Sequence, residues 1–283
     1  SRVNKRINEL LSYDEVWRLI GYWLAEGCNT DGDRIRLCFS NKEWELVKDV
    51  GYIVEKYLGK KISYHETKSS TIMVSFVDAD FKKILNTMGT TAETKHLPPF
   101  FINNSMSKQR QLLIGYWKGD GCYSKDGQIE IGSTSLSLLA GIQLILAKMG
   151  IVSGITKSRE AGKQVVVGNL CNVKDYWCLQ STDPLFKLLL GLEADFPTKP
   201  RHSFFTDKYW VVPIRSIKEI EPCDEVIDIQ VNGQNNFYCP GMIVHNCDDI
   251  ANNDDRESEA IRERKKRWYQ DLISILEPDG EVL

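Results

Sequence analysis

The chain has 283 residues, 42% apolar and 27% charged, a globular composition that excludes disordered and fibrous classes. No run approaches the roughly 18 uninterrupted apolar residues of a membrane helix, and Ser1 to Arg6 lacks the apolar block of a signal peptide, so membrane and secreted classes are not expected. The net charge of −3 divides unevenly: residues 1–210 hold 28 Lys and Arg against 23 Asp and Glu, a balance of +5, and residues 211–283 hold 8 and 16, a balance of −8.

A modestly basic body with an acidic tail fits a nucleic-acid partner for the body, although an ordinary soluble body of that length shows a similar balance. The eight cysteines include no Cys-x-x-Cys pair, so zinc-finger spacing is absent and reduced thiols in a cytoplasmic, intracellular setting are expected.

After a lead-in over residues 1–12, Ser12 and Glu15 have capping-box spacing ahead of an apolar helical run from Val16 to Ala25. Residues 19–27 read Leu-Ile-Gly-Tyr-Trp-Leu-Ala-Glu-Gly, and residues 113–121 read Leu-Ile-Gly-Tyr-Trp-Lys-Gly-Asp-Gly. A further echo pairs Thr94-Lys95 with Thr198-Lys199. Two such matches predict a duplicated unit, with repeats over about 13–105 and 106–210. Gly27 and Gly121 sit where a helix usually ends in the left-handed conformation. Gly21 with Ala25, and Gly115 with Gly119, give each helix a nearly bare strip, and two bare strips let helices approach closely. That contact brings Glu26 and Asp120 together at adjacent helix C-termini, which already carry partial negative charge. Two carboxylates there call for a cation, and oxygen-only ligands suit Mg²⁺. For either motif alone, a turn with a solvated acid is the plainer reading.

Between these motifs the first repeat shows an alternating strand at Asp33–Ser40, helical spacing from Glu43 to Leu58, and strands at Lys61–His65 and Ile72–Val77. The second repeats that order at Gln128–Gly132, Leu136–Met149, Gly154–Ser158 and Val165–Val167. The predicted class is α+β, an αββαββα unit occurring twice. Arg34, Arg36, Lys61 and Lys157 are candidates for a strand face that lies along a DNA groove, with plain solvent contact as the alternative.

These residues resemble the two-repeat, single-chain LAGLIDADG homing endonucleases over residues 13–210. The resemblance implies a pseudo-symmetric DNA-binding saddle that cuts a long double-stranded site as a monomer. It makes Glu26 and Asp120 the metal-binding catalytic acids. Lys95, ahead of Leu97-Pro98, and Lys199 are implied as supports for the attacking water. Lys199 lies in Lys-Pro-Arg-His, which departs from the family pattern.

Residues 226–247 carry a second chemistry. Val-Ile-Asp-Ile-Gln-Val alternates as a strand, Asn232-Gly233 is a hairpin signal, and Met242-Ile243-Val244 is a second apolar strand ending in His245-Asn246-Cys247. An Asn side-chain amide attacks its own carbonyl to form a succinimide and break the following peptide bond, and held geometry accelerates it. His245 is placed to protonate the departing amine, and Cys247 to accept an acyl chain as a thioester. This stretch resembles the C-terminal splicing motifs of inteins, which implies a small β-rich (Hint) segment over 211–246 with Asp228 at the acidic assisting position. Asn235 stands where that family often has His. No Thr-x-x-His of the N-terminal splicing half occurs, so a separate N-terminal intein half is the implied partner. Residues 247–283 then belong to the interrupted host, with a helical stretch over about 258–276. Cys247-Asp248-Asp249 resembles the Walker B region of a phage terminase large subunit.

The expectation is thus an Mg²⁺-dependent endonuclease that cuts the uninterrupted host gene, joined to half of a splicing element. The alternatives are an inactive DNA- or RNA-binding relic or maturase, and a splicing-only element.

Overall fold

The computed structural model describes residues 2–29, 32–67, 70–124, 127–166 and 169–192, with short strands at 204–205, 210–211, 236–239 and 242–245. The chain forms two compact units, Ser1–Pro200 and Arg201–Leu283.

In the first unit, α1 (Arg2–Leu10) leads into α2 (Asp14–Glu26), then β1 (Gly27–Asn29), β2 (Arg34–Ser40) and α3 (Trp44–Ile53), which continues as a π-helical turn over Val54–Leu58. β3 (Ser63–Glu66), β4 (Thr71–Val77) and α4 (Ala79–Asn86) complete the first repeat. A short α5 (Pro99–Ile102) precedes the second: α6 (Met106–Asp120), β5 (Gly121–Tyr123), β6 (Ile129–Ser133), α7 (Leu136–Lys148) and β7 (Gly154–Arg159). The hairpin β8 (Gly162–Val166) with β9 (Asn169–Val173) follows, then β10 (Tyr176–Ser181) and α8 (Pro184–Leu190).

Each repeat builds one antiparallel four-stranded sheet, ordered β1-β2-β4-β3 and β5-β6-β10-β7. The registers agree at the 94-residue spacing: Gly27 pairs with Leu37 and Cys28 with Arg36, as Gly121 pairs with Ile131 and Cys122 with Glu130. The expected α+β class and duplication are therefore present. One assignment needs correction. Val165–Val167 was expected to be the strand equivalent to β4, but β8 pairs only with β9 in an added hairpin, and β10 takes the place in the sheet. Ile-rich β6 needs a partner that buries Leu179 behind it, and the exposed β8 residues Gly162–Gln164 offer no such face.

α2 is buried on nearly every side, from Val16 through Leu24, which marks it as a central helix and not a surface one. One continuous core joins it to Leu112, Leu113 and Tyr116 of α6, to Ile35, Leu37 and Val74 of the first sheet, and to Ile129, Ile131 and Leu179 of the second. The expected capping box is absent: Tyr13 is the N-cap without a side-chain bond, and Ser12 Oγ donates instead to the Glu9 carbonyl at the end of α1. Arg6 of α1 donates to Asp78, the N-cap of α4, at 2.6 Å and to Asp80 at 3.1 Å. Among the described residues no helix is long and apolar enough to cross a membrane.

In the second unit, β11 (Phe204–Phe205) pairs with β12 (Trp210–Val211), and β13 (Asn236–Cys239) with β14 (Met242–His245). The apolar strand expected at Met242–Val244 is β14. The Val226–Val231 strand, the Asn232-Gly233 turn and the helix over 258–276 lie outside the described residues.

Candidate functional site

The site begins with two glycines. A Cβ on Gly21 would lie 2.2 Å from the Leu112 carbonyl oxygen, and one on Gly115 would lie 2.2 Å from that of Arg18. Only hydrogen fits at either point, so α2 and α6 touch backbone to backbone along the strips that the glycine spacing predicts. Further along, a Cβ on Gly119 would meet Ala25 Cβ at 2.6 Å and Glu26 Cγ at 3.1 Å. Polar ties fix the pair sideways. Arg18 forms a two-pronged ion pair with Asp49 of α3 at 2.7 and 2.8 Å, and its third arm donates to Gln111 of α6 at 2.7 Å. Tyr22 donates to the same Asp49 carboxylate at 2.8 Å.

Gly27 and Gly121 are not left-handed, contrary to the sequence expectation. Their φ, ψ values are −83°, 144° and −89°, 148°, extended backbone that starts β1 and β5 directly. Glycine is required there for another reason. A Cβ at 27 would lie 2.2 Å from Trp23 Cδ1, and one at 121 would lie 2.2 Å from Trp117 Cδ1. The tryptophan of each motif packs over the helix end, and the bare residue makes room for it.

Glu26 and Asp120 close the two helices. Burial raises Glu26 first, and the fields of Asp120 and Glu43 add to it against the pull of Lys95, so that its pKa reaches about 7. Desolvation lifts Asp120 to about 6, opposed by Lys95. Glu26 is half-buried and Asp120 stays exposed, so water tempers the effect at Asp120 and the acids line an open site. The structure thus brings the two predicted acids close enough for the charge of Asp120 to act on Glu26, with Lys95 opposing the rise at both. Beside Glu26 opens a cleft of about 820 Å³ lined by Glu26, Cys38, Ser40, Lys42, Glu43 and Thr71.

Lys95 is the cation nearest the pair. It is 6% exposed, and its Nζ donates to the Trp23, Leu24 and Gly27 carbonyls at 3.1, 2.8 and 2.9 Å. An ammonium has three N–H donors, and here all three cap the C-terminus of α2. Burial lowers its pKa to about 8, against the raising fields of Asp120, Cys28 and Glu26. Ser135 Oγ donates to the Lys95 carbonyl at 2.5 Å and so anchors this segment on the second repeat.

The donor set fits a hard divalent cation. The carboxylates are oxygen ligands at the negative ends of two helices, and their raised pKa values register first the cost of desolvating a charged carboxylate there. Among the described residues no cluster of three or more His, Cys, Asp or Glu side chains forms a protein-only metal cage. A cation here would complete its shell from water and phosphate oxygens, as Mg²⁺ does.

Of the strand-face candidates, Arg34 and Arg36 lie on β2 opposite the buried Ile35 and Leu37. Lys61 lies just before β3 and lines a second cleft of about 350 Å³ with Arg34 and Lys60. Lys157 is on β7, paired with Asp175 at 3.0 Å and placed over the Trp177 ring. Lys199, Asp228, Asn246 and Cys247 lie outside the described residues, and His245 is described only as the last residue of β14. Sequence reasoning missed Glu43, whose Oε2 accepts from the Ser40 amide at 2.7 Å. Its acid type at a helix start was visible, but its approach to Glu26 depends on the fold of the β2–α3 turn.

Residues 107–177, from α6 into β10, match the family described as LAGLIDADG-like domain. The chain is also similar to the ATP-dependent DNA helicase Hel308 of Thermococcus kodakarensis, with 29% identity over 256 residues, which are 86% of this chain and 22% of that protein. It is 26% identical over 241 residues to the iron-sulfur cluster assembly SufBD family protein Rv1461 of Mycobacterium tuberculosis, covering 82% of this chain and 27% of that protein. The chain therefore spans about a quarter of the length of these two relatives. Among solved structures it is similar to I-DmoI in complex with DNA and Ca, with 11% identity, a TM-score of 0.47, and coverage of 66% of this chain and 94% of that one. The mixed α+β architecture, with its antiparallel sheets, carries a LAGLIDADG-like domain in the second repeat.

Proposed function

We propose that this chain is a divalent-metal-dependent DNA endonuclease of the LAGLIDADG kind, carried with the C-terminal half of a protein-splicing element. The observation that carries the nuclease reading is the meeting of Glu26 and Asp120 at two helix ends held in backbone contact, both with raised pKa values. Glu26 and Asp120 would hold Mg²⁺, which would supply electrostatic stabilisation of the charge that develops as a phosphodiester is cleaved. A duplex would lie on the sheet faces, with Arg34, Arg36, Lys61 and Lys157 toward its phosphates and base edges and the two acids facing the bond to be cut. Lys95 and Lys199 are the proposed supports for the attacking water. Because Lys95 directs all three N–H groups to carbonyls, it supports a water only by releasing one of them; otherwise it acts as a fixed positive charge beside the acids.

Two observations support the splicing half. Met242–His245 is a strand that delivers the chain to Asn246-Cys247. The chain also resembles about a quarter of each of two proteins whose described activities are unrelated, a DNA helicase and an iron-sulfur assembly protein. A module shared between such hosts is what an inserted element looks like. In this reading Asp228 and His245 assist the cyclisation of Asn246, Cys247 is the first host residue, and a separate N-terminal half completes the reaction.

The nuclease reading is tested by incubating the protein and Mg²⁺ with a library of random duplexes and sequencing newly formed ends. Wild type is expected to cut a defined site, with Glu26→Gln and Asp120→Asn each slower by roughly 10²-fold or more. Cutting at undiminished rate in either variant would refute the assignment.

A further inference from the structure

The internal repeat gives residues of β1 and β2 mates in β5 and β6, and at one row the mates are chemical opposites. In the first sheet, Arg36 of β2 pairs with Cys28 on one side and Ser75 on the other. In the second, Glu130 of β6 pairs with Cys122 and Gln180. Arg36 and Glu130 are 94 residues apart, as are Cys28 and Cys122, the spacing of the helix motif itself. Both lie on the face opposite the core, since their neighbours Ile35, Leu37, Ile129 and Ile131 are fully buried.

Arg36 carries only donors. Its Nε is shielded from solvent and has no hydrogen-bond partner among the described residues. Glu130 is held as an acceptor. Gln180 Nε2 donates to its Oε1 at 3.1 Å, and the thiols of Cys122 and Cys178 lie 3.9 and 3.8 Å from its Oε2. Burial, then the charge of Glu130, pushes the Cys178 thiol up to about 11, so it remains an S–H donor toward the carboxylate. Because Gln180 turns its NH₂ to Glu130, its own Oε1 is left as a second acceptor. Arg36 therefore offers donors only, and the row around Glu130 offers acceptors.

In the major groove, guanine shows two acceptors, while cytosine and adenine each show an amino donor. We propose that Arg36 and Glu130 are specificity residues that read opposite edges at the two base positions related by the internal repeat, Arg36 taking guanine and Glu130 taking cytosine or adenine. A target that is palindromic at this pair puts guanine before both, and the Glu130 row then faces it acceptor to acceptor. The preferred site is accordingly non-palindromic there. This inference rests on the duplex-DNA reading above and goes beyond it in assigning base chemistry to each half.

The test is in vitro selection from randomised 30-base-pair duplexes without cutting metal, using wild type, Arg36→Glu, Glu130→Arg and Glu130→Gln, each checked for folding by thermal unfolding. Wild type is expected to enrich guanine at one position and to reject it at the mate by roughly tenfold. Arg36→Glu should abolish the first preference, and Glu130→Arg should install guanine at the mate. Glu130→Gln, which keeps the size and adds a donor, should relax the rejection several-fold, and it decides the matter if a charge reversal unfolds the protein. Unchanged base preferences in the folded variants would overturn this inference while leaving DNA binding intact. Failure of folded wild type to select any duplex would overturn the DNA reading itself.

Discussion

The first repeat places Glu26, Cys28 and Arg36 where the second places Asp120, Cys122 and Glu130, on the same helix end and in the same strand register. The glycines at the helix crossing and the tryptophans over the helix ends recur, and the buried Ile35 and Leu37 of β2 answer Ile129 and Ile131 of β6. Away from those contacts the copies part. The first sheet carries Arg34 and Arg36, the second Glu130 and Gln180, and among the described residues the β8–β9 hairpin belongs to the second repeat alone. Backbone-to-backbone packing tolerates little change because a single methyl has nowhere to go, whereas an exposed strand position is free to diverge. The shared part of the molecule is the helix crossing with its two acids, and the divergent part is the outer face of the strands.

The sharpest break in that comparison comes at the crossing. Gly21→Val or Gly115→Val is expected to lower unfolding stability by about 3 kcal/mol in urea titration, because each side chain must force two helix backbones apart. Gly154→Ala, whose Cβ meets open space, should change it by no more than about 0.5 kcal/mol. Equal effects at 21 and 154 would mean that the helices are not in contact.

A smaller effect is expected where the repeats differ in support. Lys95→Met strips three carbonyls at the end of α2 of their donor and should cost roughly 2 kcal/mol. It should also raise the pKa values of Glu26 and Asp120 further, since the charge opposing the rise is gone.

The smallest effect is the pH dependence of the metal-free protein. Glu26 and Asp120 hold protons more tightly when folded, with pKa values of about 7 and 6, than as free side chains. Between the unfolded and folded values the folded state binds more protons, so stability falls as pH rises from about 4 to 7. Thermal unfolding across that window should show a decline that the Glu26→Gln/Asp120→Asn double variant flattens; an identical slope in both proteins would mean that folding does not raise the pKa values of these acids.

Much of this was legible in the residues. The nonapeptides at 19–27 and 113–121 announced the duplication, and the Gly21–Ala25 and Gly115–Gly119 strips predicted which helix faces meet, because only small residues permit that approach. What stayed hidden depended on atoms that carry no residue identity. The three acceptors of Lys95 are backbone carbonyls, and the Gly27 and Gly121 requirement comes from a tryptophan ring folding back, not from a left-handed turn. β10 was overlooked because Val165-Val166-Val167 is the more strand-like string, although its exposed hairpin has no place in the sheet. The acceptor row at Glu130 was equally invisible, since Gln180 and Cys178 reach it from a strand 50 residues away.

The central claim is that Glu26 and Asp120 form one cation site across the α2–α6 contact. Calorimetric titration of Mg²⁺ into wild type, Glu26→Gln and Asp120→Asn in the absence of DNA tests it most directly. The account predicts measurable binding to wild type, weakened at least roughly tenfold by either single substitution, since each removes half of a shared carboxylate pair. Mg²⁺ binding that survives unchanged in either variant would contradict it.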